Sequence, residues 1–175
     1  MKNTFLLAII LIGCSQAGAE VMTSIGENNV FEREAYATQY SSRTPFALRV
    51  GYQEFSNAVF AEYNQFSTSD SFSGMEISRT QHEFLVWGRH SFWSDSPFQL
   101  YLQFAPGVQL QHVQTNFMST SQQDTSRPSF ALAGAVGGAA QVNRFRFEVE
   151  LRAIASQIAA PNPTLSVGFY GGYLF

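Results

Sequence analysis

The sequence predicts an all-β domain: a closed antiparallel up-and-down transmembrane β-barrel of eight strands, preceded by a cleaved export signal. Three observations predict it. Segments of strict period-two alternation recur along the chain, long and short links alternate between them, and the composition is rich in aromatics and poor in charge. Of the 175 residues, aromatics make up 15% with 17 Phe, while charged residues fall to 13%, about half the usual share. With 45% apolar residues, disorder is not expected. The net charge is −3 and Lys2 is the only lysine, which leaves no basic footprint for nucleic acid. The single Cys14 excludes an internal disulfide framework and a thiolate metal cluster.

At the amino terminus Lys2 precedes an apolar run from Phe5 to Ile12 and then small and polar residues, the order of a secretory signal. The run is far shorter than the roughly twenty residues a spanning helix needs. Two processing sites fit. Ala17-Gly18-Ala19 before Glu20 is a small-x-small site, and Leu11-Ile12-Gly13-Cys14 reads as a lipobox with Cys14 as the lipidation site. The expected organisation is therefore a signal over residues 1–19, a periplasmic segment over 20–29 and the barrel over 30–175.

Taken in chain order, the first strand is expected at Phe31 to Tyr40, where Tyr36, Thr38 and Tyr40 alternate. Glu32, Arg33 and Glu34 leave a short amphipathic helix as the other reading. Next come Phe46, Leu48, Val50, Tyr52; then Val59, Ala61, Tyr63; then Phe84, Val86, Phe92. From Phe98 to Gln111 the even positions are apolar and Gln99, Gln103, Gln109 and Gln111 occupy most of the odd ones. Phe130, Leu132 and Val136 mark a further strand. Phe145, Phe147, Val149 and Leu151 then alternate without fault with Arg146, Glu148, Glu150 and Arg152. Leu165, Val167, Phe169, Tyr173 and Phe175 close the series. Pro106-Gly107 interrupts the longest run; a bulge or a point above the membrane surface accommodates it, and a hairpin there is the other reading.

After a first link at Ser41 to Pro45, the links Ser56-Asn57, Ser94 to Ser96 and Val142 to Arg144 are short, whereas Ser67 to Ser78, Asn116 to Arg127 and Ser156 to Pro163 are long. Tight periplasmic turns and long external loops produce this asymmetry in outer-membrane barrels, and an even strand count brings both termini to the turn side. Phe55, Phe92, Trp93, Phe98, Phe145, Tyr173 and Phe175 gather at that side as an expected aromatic girdle.

Electrostatics then assigns the faces. Arg at the lipid midplane costs about 2–4 kcal/mol, so Arg146, Glu148, Glu150 and Arg152 must point into the lumen. Ser129, Ala131, Ala133, Ala135 and Gly137 on the preceding strand leave room for them. Arg49, Gln53, Glu62, Asn64, Gln99 and Gln103 join this interior, as do Glu83 and Arg89, which carry Leu85 and Trp87 inward with them. An eight-stranded barrel is narrow enough for side chains to fill, and ions of both signs predict a salt-bridged plug.

The signal, the amphipathic strands and the terminal stretch Leu165-Ser166-Val167-Gly168-Phe169-Tyr170-Gly171-Gly172-Tyr173-Leu174-Phe175 resemble the small bacterial outer-membrane barrels of the OmpA and OmpX type over residues 30–175. The resemblance implies residence in the outer membrane among its lipids and lipopolysaccharide, as a monomer. It also implies recognition of the terminal Phe175 by the barrel-assembly machinery. Nothing in the loops matches a motif of that family, and the expected role is a non-enzymatic one in envelope integrity or in surface interaction through the external loops. A narrow pore or hydrophobic-ligand conduit is the alternative, and a lipid-modifying enzyme comes last. Lipid A deacylase barrels carry a His and a Ser near the end of the penultimate strand; here Ser156 has no His beside it and no acid follows. His82, His90 and His112 have no spacing for a metal or a nucleophilic dyad, so no cofactor is expected.

Overall fold

In the computed structural model the described residues are 20–31, 46–72, 75–117, 120–157 and 163–175. They form nine strands: β1 (Glu20–Phe31), β2 (Phe46–Glu54), β3 (Asn57–Phe72), β4 (Met75–Phe92), β5 (Phe98–Phe117), β6 (Thr120–Thr125), β7 (Ser129–Val142), β8 (Phe145–Ser156) and β9 (Thr164–Leu174). Eight of them close a barrel in the order β4-β3-β2-β1-β9-β8-β7-β5, with β5 returning to β4. Every neighbouring pair is antiparallel. β6 lies outside this ring and pairs only with the far half of β5, from His112 to Phe117.

The eighth strand is not where the alternation placed it. β1 begins at Glu20, so residues 20–29 are barrel wall and not a periplasmic segment. Residues 32–45, and with them all but Phe31 of the strand expected at Phe31 to Tyr40, lie outside the described residues, as do the signal and Cys14. β1 has little pattern of its own: Val21 and Met22 are both buried, and from Glu20 to Asn28 Ile25 is the one large apolar residue facing outward. Its register is imposed by two neighbours, Glu20↔Gln53 on β2 and Met22↔Leu174 on β9.

The short links are as tight as expected. Each uses a left-handed residue, Phe55 (φ 48°), Trp93 (φ 56°) or Asn143 (φ 56°), the conformation that turns a chain abruptly at a hairpin. Two expected external loops, however, are mostly strand. β3 runs to Phe72 and β4 restarts at Met75; β5 runs to Phe117 and β6 restarts at Thr120. These hairpins rise above the barrel as one sheet, β3-β4-β5-β6. Ser, Thr, Gln and Asn are most of their residues, and the apolar ones, such as Met75, Ile77, Val113 and Phe117, are too few to make an alternation that reveals them.

The outward face records where lipid ends. On β5 the outward positions run from Phe98 to Leu110 and then change to His112, Gln114 and Asn116. On β4 the change falls between Phe84 and His82, and on β3 between Tyr63 and Gln65. All three lie at one level, since Gln65 pairs with His82 and His82 with Leu110.

Pro106 neither starts a hairpin nor makes a bulge. The β4–β5 register is identical on both sides, Leu85↔Gly107 and Gly88↔Phe104, with the ladder interrupted between them. The strand keeps its place through β7, where Pro106 pairs with Leu132. A residue without an N–H can remain in a closed sheet when it bonds on one side only.

Candidate functional site

The interior of the barrel is the site the fold builds. Burial is inverted relative to a soluble domain. Val149 and Leu151 are half exposed on the outside, while Arg49, Glu62, Glu83, Arg89, Arg146, Glu148, Glu150 and Arg152 are each 0–3% exposed inside. Four Arg face four Glu, so the lumen is neutral as a unit. The structure brings together all seven ions assigned to the lumen from their alternation, and Glu83 with them.

Glu148 is the hub. It accepts from Arg89 Nη1 at 2.5 Å and Nη2 at 2.8 Å, from Arg146 Nε at 2.6 Å and from Arg49 Nη1 at 3.1 Å. Arg49 extends across the barrel to Glu62 at 2.5 Å and to Glu150 at 2.6 Å. Arg152 donates to Glu62 at 2.7 Å and to Glu83 at 3.3 Å. Neutral side chains complete the shells: Gln103 and Tyr101 donate to Glu150 at 2.7 and 3.2 Å, Gln109 donates to Glu83 at 2.6 Å, and Asn64 donates to both Glu62 and Glu83. Buried carboxylates keep their charge only with such complete pairing.

The other wall of the lumen is apolar and aromatic. Phe60 and Trp87 stack at 6.3 Å. The guanidinium carbons of Arg49 and Arg89 lie 5.1 and 4.7 Å from the Phe60 ring centroid, and Arg152 stands 5.0 Å from Trp87. Arg49 also stacks on Tyr170 at 3.3 Å, and Arg89 on Tyr101 at 4.1 Å. Sequence reasoning missed Tyr101, Tyr170 and Asn28. Tyr101 and Tyr170 sit at the inward parity of runs whose outward residues drew attention, and Asn28 fell in the segment assigned to the periplasm.

Gly137 shows how the filling fits. A Cβ there would stand 2.5 Å from the Tyr101 ring and 2.7 Å from the Val149 carbonyl oxygen. Gly137→Val is expected to cost about 1–3 kcal/mol by overpacking, measured by urea unfolding in detergent.

A cavity of about 190 Å³ opens at the short-turn end, lined by Glu20, Gln53, Phe55, Ser94, Asp95, Gln99 and Gln141. Its floor is closed where Gln53 and Gln99 each accept from Arg146 Nη1 at 3.1 Å. Around this rim Phe55, Trp93, Phe98, Phe145 and Phe175 are all more than half exposed, and Phe92 is 43% exposed. Tyr173 packs edge-on against Phe145 and Phe175 at 5.3 and 4.8 Å. The three His lie apart: His82 bonds the Tyr63 hydroxyl at 2.8 Å, His90 bonds Asn57 at 3.0 Å and His112 bonds Thr125 at 2.7 Å. Among the described residues no group of His, Cys, Asp and Glu could hold a metal ion.

The closed ring of eight antiparallel strands, apolar outside and ionic inside, has solved counterparts. A major outer membrane protein of Thermus thermophilus superposes with a TM-score of 0.69 over 90% of this chain and 99% of its own, at 8% identity. The fold is that of a bacterial outer-membrane barrel. Ail, the attachment invasion locus protein of Yersinia pestis, matches at 0.61 with 12% identity over 90% and 97% of the two chains. Neisserial surface protein A matches at 0.60 with 12% identity over 90% and 96%. No family model and no curated protein matches the sequence. At such identities the likeness is one of outer-membrane barrel architecture.

Proposed function

We propose that this outer-membrane barrel is closed to solutes and acts at the cell envelope without catalysing a reaction, through surface interaction or envelope integrity carried by its external sheet and loops. One observation carries the reading: eight interlocked ions of net zero charge, each at most 3% exposed, fill the cross-section. A conducting pore needs a water-lined path, and the network stands across it.

The external sheet is the part available to partners. Ail has been solved with the heparin analogue sucrose octasulfate, and a polyanion of that kind does not fit here. The described external residues carry Arg79 and Arg127 against Glu76 and Asp124, and hydroxyls and amides stand there among Met75, Ile77, Val113 and Phe117. In this reading the partners are outer-membrane lipid and lipopolysaccharide around the wall and, during folding, the barrel-assembly machinery. The aromatic alternation Phe169, Tyr173, Phe175 supports the last of these.

Planar-bilayer recording tests the closed lumen. The purified barrel is expected to give no unit conductance steps. Reproducible steps that change size in Arg146→Ala would overturn the plug in favour of a narrow pore.

A further inference from the structure

Most inward glycines have an internal reason. A Cβ at Gly51 would collide with the backbone of Phe60, at Gly107 with the Phe84 carbonyl, and at Gly168 with Asn28 and Tyr170. Gly88 has none. It faces outward in the middle of β4, and a Cβ there would meet nothing within 4 Å. Glycine weakens a strand interior, and a lipid-facing site favours a large apolar residue. What its missing side chain creates is external: a groove of about 490 Å³ on the wall.

The walls of this groove are Val59 on one side and Leu102 and Phe104 on the other, all more than half exposed and so standing above the floor. Val59 pairs with Gly88 and Gly88 with Phe104, which places the glycine between them. At the short-turn end the groove meets a polar pair, His90 Nδ1 and Asn57 Oδ1 at 3.0 Å. His90 packs edge-on against Phe92 of the aromatic rim at 5.2 Å. This bond occupies one atom of each residue, and both residues are exposed. An apolar trough that ends in an amide and an imidazole at the aromatic rim has the polarity profile of one diacyl phospholipid, with tail inward and ester and phosphate at the edge.

We propose that the Gly88 groove holds one acyl chain of a phospholipid from the leaflet at the short-turn end, with its glycerophosphate region on Asn57 and His90. The site rests on the membrane reading of the exterior and adds a resident lipid to it. A Cβ at position 88 meets nothing within 4 Å, so the side chain in Gly88→Leu fills the groove between Val59 and Phe104 and the barrel is expected to stay folded.

The test uses the full barrel extracted into mild detergent from vesicles of phosphatidylethanolamine and phosphatidylglycerol, examined by native mass spectrometry. The wild type is expected to retain one diacyl phospholipid. Gly88→Leu is expected to retain roughly tenfold less, while Gly134→Leu, an outward glycine with open space outside this groove, retains as much as the wild type. Heat-modifiable gel mobility reports that each variant is folded. In the wild type alone, nitroxide-labelled acyl chains in nanodiscs should broaden the amide signals of Val59, Gly88 and Phe104 more than those of Val136 and Leu151. Equal retention by the two leucine variants, no retained lipid, a retained mass that is lipid A or a free fatty acid, or uniform broadening would overturn the site. A wild type that stays folded and soluble in buffer without detergent would instead overturn the membrane reading beneath it.

Discussion

Replacing Glu148 with Gln will destabilise the barrel by about 3–5 kcal/mol, the cost of removing one partner from a buried ionic set. Glu148 accepts from three guanidiniums, those of Arg49, Arg89 and Arg146. Its neutralisation leaves four Arg against three Glu in a lumen that solvent does not reach. The amide also turns a donor toward groups that only donate. Urea unfolding in detergent, followed by the fluorescence of Trp87 and Trp93, measures the loss. Adding Arg89→Met should recover part of it, because it removes the excess positive charge. A Glu148→Gln barrel as stable as the wild type would mean that the interior is hydrated and the ions are individually solvated.

Leu151→Arg has the second largest expected effect, about 2–4 kcal/mol at mid-membrane depth. Leu151 is 51% exposed, and on a water-facing sheet an arginine there would be neutral or mildly solubilising. Leu151 points outward between Glu150 and Arg152, so the substitution puts a charge on the face opposite the lumen network. The comparison with Leu151→Ala separates lost apolar area from the cost of the charge. Refolding yield into vesicles and the urea midpoint both read it. An unchanged midpoint for Leu151→Arg would remove the lipid-facing assignment of the entire outward set.

Some of this architecture was legible in the residues because a strand has only two faces. Where Arg146, Glu148, Glu150 and Arg152 alternate with Phe145, Phe147, Val149 and Leu151, the price of a charge in hydrocarbon decides which face is which. Paired register then extends that decision to the neighbouring strands, and Leu85 and Trp87 follow Glu83 and Arg89 inward. β1 was not legible for the same reason. From Glu20 to Asn28 it offers one large apolar outward residue, Ile25, and its place is set by its pairing with β2 and β9 and by inward contacts of Met22 and Asn28. The external sheet escaped as well, because Ser, Thr, Gln and Asn satisfy a strand above the membrane without any hydrophobic period.

From the chain alone came the strand-rich class, the turn asymmetry and the identity of the buried ions, all of which depend on local period and on the sign of a transfer energy. The tertiary structure alone decided which ion meets which. Arg49 reaches Glu148 and Glu150 about a hundred positions away in the chain. Those distances are set by how eight strands tilt and stagger around a ring, a property of the closed sheet that no single segment contains.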